Sequence, residues 1–235
     1  MEYLFLPEMQ ANVPGYADML ECLRRGSPVL YDSARAMLIH EQDGVCILGA
    51  SDVEEAKAAL ARLPQSTRMI VVRDRRIRDY AIATLGFADS SECVQVYYDS
   101  ARAPRPAGGK LEIRHPSASD WAAVRDAYDL ITEEKLHEHF VSDDFFCGYY
   151  RGDLVGFAGL HTEGALGMLY VFPAYRRRGF AEELSDFMVN RQLSLGRYAY
   201  AHVFIDNEAS IALQRKTNMT FADWHIFWIW KDAFY

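Results

Sequence analysis

The chain has no long apolar run. Nowhere do eighteen hydrophobic residues follow one another, which excludes a membrane-spanning helix. Basic excess is missing as well. Lys and Arg total 25 against 33 Asp and Glu, a formal net charge of -8, which excludes a general nucleic-acid binder because phosphate backbones attract basic surfaces. Cysteine is scarce, with only Cys22, Cys46, Cys93 and Cys147. They form no C-x-x-C pair and no ligand spacing with histidine, so neither a disulfide framework nor a metal site is expected. The opening MEYLFLPEMQ is acidic and too short in apolar residues for a secretory signal. These absences together imply a cytoplasmic protein with reduced thiols.

What is present is a large hydrophobic fraction, 50% of 235 residues, enough for one large core or two small ones. The stretch Asp99 to Lys110, DSARAPRPAGGK, holds two prolines and two glycines and suits neither helix nor ladder. A boundary there divides the chain into domains 1–107 and 108–235.

In the first half, Tyr16, Met19, Leu20 and Leu23 recur at helical spacing before Gly26. Ala36 to Glu41 and Val45 to Leu48 flank Asp43-Gly44 and read as a hairpin. Ser51 and Glu54 form a capping box for an alanine-rich helix reaching about Leu63. A strand (Met69 to Val72), a helix (about Arg75 to Leu85) and a strand (Glu92 to Tyr98) complete this half.

In the second half, a strand at Leu111 to Arg114 precedes a helix that Ser117 or Ser119 caps and a short helix with Leu136 and Phe140. Strands Phe146 to Tyr150 and Leu154 to Leu160 flank the turn Arg151-Gly152-Asp153, followed by a strand from Ala165 to Phe172. Next come a helix from Phe180 to about Leu195, a strand from Tyr198 to Ile205, a helix capped by Asn207, and a last strand from about Ala222 to Trp230. That last strand is apolar on both faces, as a central strand would be. Both halves run hairpin, helix, strand, helix, strand, the mark of an internal duplication.

The segment Leu166 to Ala181, LGMLYVFPAYRRRGFA, carries the chemistry. An apolar strand stops at Pro173, passes through Arg176, Arg177 and Arg178, and enters a helix at Gly179. The first N–H groups of a helix lack intrahelical partners, and its dipole adds about half a positive charge there. Arginines beside a glycine then make an anion site; read alone, the loop is equally a solvated basic turn.

Arg176-Arg177-Arg178-Gly179-Phe180-Ala181 resembles the pyrophosphate-binding motif R/Q-x-x-G-x-G/A of the GNAT acyltransferases. A second landmark, N-x-x-A/S-x-x-L, is matched by Asn207-Glu208-Ala209-Ser210-Ile211-Ala212-Leu213. The resemblance implies a GNAT mixed sheet flanked by helices, in the α/β (α+β) class, behind a degenerate GNAT-like amino-terminal domain. It also implies acetyl-CoA or another acyl-CoA as co-substrate. Leu169, Tyr170 and Val171 would bond the pantetheine arm through their backbone, and the loop residues and Asn207 would complete the cofactor site. A narrower resemblance, to glycine N-acyltransferase-like tandem proteins, rests on Tyr200-Ala201-His202-Val203, Asn207-Glu208-Ala209 and Pro173-Ala174-Tyr175-Arg176. It implies a small-molecule amine acceptor such as an amino acid.

Acyl transfer needs a base for the amine proton. His202, on the strand before Asn207, stands where some members place a glutamate, although a satisfied core histidine fits equally. Glu163 lies two residues out of register with the glutamate of the glycine acyltransferase-like proteins. His137 and Glu138, on the helix that walls the acceptor site in the family, are a third choice. Gln214 replaces the tyrosine that often protonates the leaving thiolate, which leaves the acid unassigned. A sensor or scaffold that binds acyl-CoA without turnover is therefore the alternative, with protein N-acetylation a further one. Asn218 replaces a glycine after the helix, a substitution that the left-handed conformation tolerates.

Overall fold

The computed structural model describes residues 3–106 and 109–231. Two compact units emerge. One takes the chain up to Tyr97 together with His202–Glu208 and the last strand, and the other takes Tyr98–Ala201 with Ala209–Met219.

The first unit begins with α1 (Leu6–Ala11) and α2 (Val13–Arg25). Asn12 caps α2 by accepting the Gly15 N–H, and Gly26, left-handed at φ 83, closes it with N–H bonds to Cys22 and Leu23. β1 (Val29–Ser33), β2 (Ala36–His40) and β3 (Val45–Ala50) form an antiparallel meander. Asp43 and Gly44, at φ 59 and 76, make the β2–β3 turn, as the Asp-Gly pair predicts. α3 (Val53–Leu60) follows, and here the expected capping box gives way. Asp52 accepts the N–H groups of Glu54 and Glu55, both at 3.0 Å, and Ser51 is tied to the Arg35 carbonyl instead. A carboxylate at the positive end of a helix outcompetes a neutral hydroxyl.

β4 (Met69–Val72) lies parallel to β3, the reverse turn of the meander being replaced by the α3 crossover. α4 (Arg75–Thr84), capped by Asp74, leads to β5 (Asp89–Tyr97). The last strand, β11 (Thr220–Trp230), inserts between β4 and β5 and pairs antiparallel with both. The sheet order is β1-β2-β3-β4-β11-β5-β10, with β10 spanning Tyr200–Phe204. The expected halves 1–107 and 108–235 therefore differ from the compact units. β11 buries Phe227 and Ile229 in the same core as Ile70, Val72 and Leu60, and its apolar pattern is that of a strand flanked on both sides.

The second unit contains β6 (Glu112–Arg114), α5 (Trp121–Ala127), α6 (Glu133–Phe140), β7 (Phe145–Tyr150), β8 (Asp153–Leu160), β9 (Leu166–Val171), α7 (Phe180–Ser194) and most of α8 (Glu208–Lys216). Its four strands are antiparallel in the order β6-β7-β8-β9. One face buries Met168, Phe157 and Phe145 against α5 and α6, and the other buries Val155, Val171 and Phe146 against Leu184 and Met188 of α7. Arg151 and Gly152, at φ 55 and 90, form the tight β7–β8 turn, so the Arg-Gly-Asp stretch is a hairpin corner. A capping box joins Ser117 and Asp120 ahead of α5. The element order β2-β3-α3-β4-α4-β5 recurs as β8-β9-α7-β10-α8-β11. The mixed sheet flanked by helices is the arrangement the sequence implies.

The four thiols are free and buried. Burial pushes Cys46 up to about 11 and Cys93 and Cys147 up to about 12, and raises Cys22 further, so all are protonated and poor nucleophiles. Among the described residues no helix is long and apolar enough to cross a membrane, and no three His, Cys, Asp or Glu side chains converge as a metal site.

Candidate functional site

β9 is the edge strand of its sheet, so one side of its backbone has no ladder partner there. Its pairing with β8 slips between Phe157 and Gly159. Two residue steps on β8 (Phe157 to Gly159) face three on β9 (Tyr170 back to Gly167). The extra residue is a β-bulge, and Met168 within it adopts φ 51. A buried methionine in the left-handed region is strained, and the bulge re-aims the N–H groups beside it. Leu169, Tyr170 and Val171 follow directly, with Tyr170 stacked on Phe157 at 5.5 Å between ring centres.

At Phe172 the chain leaves the sheet, makes a single 3-10 turn over Pro173–Tyr175, and reaches the arginines. They divide the labour unevenly. Arg176 folds back, donating from Nε to the Val171 carbonyl at 2.9 Å with its guanidinium 5.4 Å from the Tyr170 ring centre, so it rivets the loop to the end of β9. Arg177 is exposed and left-handed at φ 61. Arg178 lies over Tyr175 at 5.5 Å. Gly179, at φ 88, is the N-terminal flank of α7, and no side chain caps the helix there. The open N–H groups of Phe180 and Ala181 thus meet two left-handed residues spaced two apart, the backbone concavity that holds anions.

A further cation stands at this loop. Lys110 donates from Nζ to the Arg178 carbonyl at 3.1 Å, and its Nζ lies 3.6 Å from where a Cβ on Gly179 would stand. No sequence motif marks Lys110, since it joins the loop through folding. Glu183 in the first turn of α7 does the joining: its Oε2 accepts the N–H groups of Gly109, Lys110 and Leu111 at 3.1–3.2 Å. Negative charge at the helix start is balanced close by, with Glu182 paired to Lys216 and Arg105.

The remaining site residues expected from sequence fall as follows. His202, in the first unit, is a satisfied histidine. Its side chain is 5% exposed, Trp228 donates to its Nδ1 at 3.2 Å, and its Nε2 lies 2.9 Å from Oε1 of Gln95. Asp18, ion-paired to Arg73, sits 3.7 Å from the same Nε2. Glu163 is in the β8–β9 hairpin, where its carbonyl accepts the Tyr200 hydroxyl at 2.8 Å. Asn207 lies immediately before α8, its N–H bonded to the Phe204 carbonyl at 3.0 Å. His137 stacks edge-on to Trp121 at 4.9 Å beside a cleft of about 450 Å³, and Glu138 pairs with Lys135. Gln214 is buried, and Asn218 is left-handed at φ 61, as its place after α8 leads one to expect.

Residues 111–218 match the model of the acetyltransferase (GNAT) family. No curated protein matches the sequence significantly. Among solved structures the chain is similar to a Drosophila structural-genomics protein (TM-score 0.66, 16% identity, 97% of this chain and 93% of that one). It is also similar to a GCN5-related N-acetyltransferase from Kribbella flavida (TM-score 0.55, 11% identity, 91% and 92%) and to a GNAT-family acetyltransferase from Colwellia psychrerythraea (TM-score 0.53, 12% identity, 84% and 81%). At these identities the likeness is one of fold. The bulged edge strand, the basic left-handed loop and the uncapped helix all fall inside the residues that match the acetyltransferase (GNAT) family model.

Proposed function

We propose that the protein is an N-acyltransferase that moves an acyl group, acetyl foremost, from acyl-CoA to the amine of a small molecule such as an amino acid. The observation that carries this reading is the uncapped start of α7, reached through Arg177 and Gly179 in left-handed conformation. It offers N–H donors and a dipole to a pyrophosphate. Arg177, Arg178 and Lys110 supply the neutralising charge, while Arg176 holds the loop in shape.

From that anchor an acyl-CoA arm lies along the free edge of β9. Backbone N–H groups of Leu169, Tyr170 and Val171 bond the pantetheine amides. The bulge at Met168 turns an N–H toward the thioester carbonyl, where it stabilises the oxyanion that forms when the amine attacks. Strain at Met168 is the cost of holding that donor fixed before the reaction begins. The carbon–nitrogen bond forms, the carbon–sulfur bond breaks, and the amine proton leaves for a base.

Buried Gln214 in the place of a tyrosine acid favours a second reading, an acyl-CoA sensor without turnover. Calorimetric titration with acetyl-CoA, beside a Gly179→Asp variant, tests the cofactor site. Micromolar binding that the variant loses is the expected result, and no binding by the wild type overturns the reading. Thiol release with any amine of a panel dismisses the sensor.

A further inference from the structure

We propose that His161, at the head of the β8–β9 hairpin, is the residue that takes the amine proton and passes it to the departing thiolate. This deepens the acyl-transfer reading and rests on it.

The placement comes from the hairpin and from one glycine. The His161 N–H bonds the Ala165 carbonyl at 2.9 Å, and its own carbonyl accepts the Gly164 N–H at 2.9 Å, so the Cα is fixed. The imidazole then lies across β9 with Nε2 in the space that a Cβ on Gly167 would fill. Gly167 is absent from the residues with positive φ, so its backbone has no need of glycine. What needs the missing side chain is the ring. Gly167 immediately precedes Met168, the strained residue of the bulge, which puts Nε2 beside the point where β9 departs from its ladder. An acyl chain running along β9 from the Gly179 loop reaches the bulge before it reaches the ring.

His161 also differs from His115, His202 and His225 in what it touches. His115 bonds the Phe145 carbonyl, His202 is held by Gln95 and Trp228, and His225 pairs with Glu92. Among the described residues no group hydrogen-bonds the His161 ring. Burial lowers its pKa to about 4, so the ring is neutral at physiological pH.

The proton balance closes without another residue. A neutral amine attacks the thioester carbonyl, and the nitrogen of the tetrahedral intermediate gives its extra proton to Nε2. Collapse breaks the carbon–sulfur bond, and the imidazolium hands the same proton to the CoA thiolate, leaving amide and free thiol. An imidazolium of low pKa is a strong acid, so His161 supplies the donor that Gln214 cannot be.

The test measures thiol release from acetyl-CoA with the twenty amino acids and spermidine as acceptors, for the wild type, His161→Gln and His161→Ala. Loss of kcat by about a hundredfold or more is expected in both variants, with acetyl-CoA affinity unchanged by calorimetry. Added imidazole restores turnover to His161→Ala, an effect that a merely structural role would not produce. Variants with wild-type kcat, or no rescue, overturn the proposal while the acyl-transfer reading stands. Failure of the wild type to bind acetyl-CoA removes both. Should the wild type bind acetyl-CoA with no active amine in the panel, diethyl pyrocarbonate decides. Carbethoxylation of His161 at pH 6 that acetyl-CoA suppresses supports the placement, and labelling that acetyl-CoA leaves unchanged overturns it.

Discussion

Trp228 donates its indole N–H to Nδ1 of His202 at 3.2 Å. Because indole nitrogen can only donate, Nδ1 must be the acceptor, and the imidazole proton is on Nε2, facing Oε1 of Gln95 at 2.9 Å. The ring is therefore a bridge between buried Gln95 and half-buried Trp228, and to act as a base it would first have to give up one of them.

The stability of that bridge is measurable. His202→Leu leaves the Trp228 and Gln95 groups without their partner, at about 1–3 kcal/mol for each buried group so orphaned. A fall in urea midpoint of that size, with kcat of the folded fraction preserved, is the expected outcome. A large loss of kcat with an unchanged midpoint would return His202 to the chemistry.

Glu183 couples the start of the second unit's sheet to the Arg176–Gly179 loop. Glu183→Ala releases three N–H groups from one carboxylate oxygen and frees Lys110 from its place against Arg178. We expect about 1–3 kcal/mol of lost stability and a severalfold weaker acetyl-CoA affinity by calorimetry. Glu183→Gln retains an acceptor oxygen and should fall between the two. Unchanged affinity in Glu183→Ala would mean that Lys110 contributes nothing to the site.

Much of this was legible beforehand because periodicity and punctuation agree locally. Met69–Val72 is a fully buried apolar run, the Asp43-Gly44 turn needs two left-handed residues, and Arg176 to Ala181 joins a strand end to a helix start. What escaped is what only three-dimensional proximity creates. α1 and β1 carry no strong period, being six and five residues long. The alternation of β11 says that it is central but not which neighbours it will have, and it packs in the first compact unit. Lys110 and His161 are unremarkable in sequence. One reaches the loop through Glu183, and the other gains its position from a glycine six residues on. The three arginines look alike in sequence, yet only the fold shows Arg176 turned back onto Val171.

Asn218 offers a cleaner test of local backbone chemistry. It is exposed and left-handed at φ 61 after α8, where a Cβ-bearing residue without a short polar side chain pays roughly 1 kcal/mol. Asn218→Ala should lower stability by about that amount, and Asn218→Gly should equal or exceed the wild type, as read from thermal midpoints. Equal midpoints for all three would mean that the turn relaxes out of the left-handed region.

Two desolvated groups, buried Asp186 and half-buried His161, give opposite pH dependences over the same window. Burial raises Asp186 to about 6 against the pull of Arg105. Between pH 4 and 6 the folded carboxyl keeps a proton that the unfolded one has lost, so its contribution is greatest in acid and declines as pH rises through that range. His161 behaves in the contrary sense. With its folded value lowered to about 4, the unfolded ring takes up a proton near pH 6.5 that the folded ring refuses, and stability falls as the solution is acidified. The two slopes offset each other in the wild type, and single substitutions should expose them. Asp186→Asn removes the first, so its stability relative to wild type should improve from pH 4.5 to 7.5, by on the order of 2 kcal/mol. His161→Gln removes the second, so its relative stability should be better at pH 4.5 than at pH 7.5. Urea midpoints at the two pH values decide the matter. A difference of the same sign in both variants would show that at least one of these groups titrates normally in the folded chain.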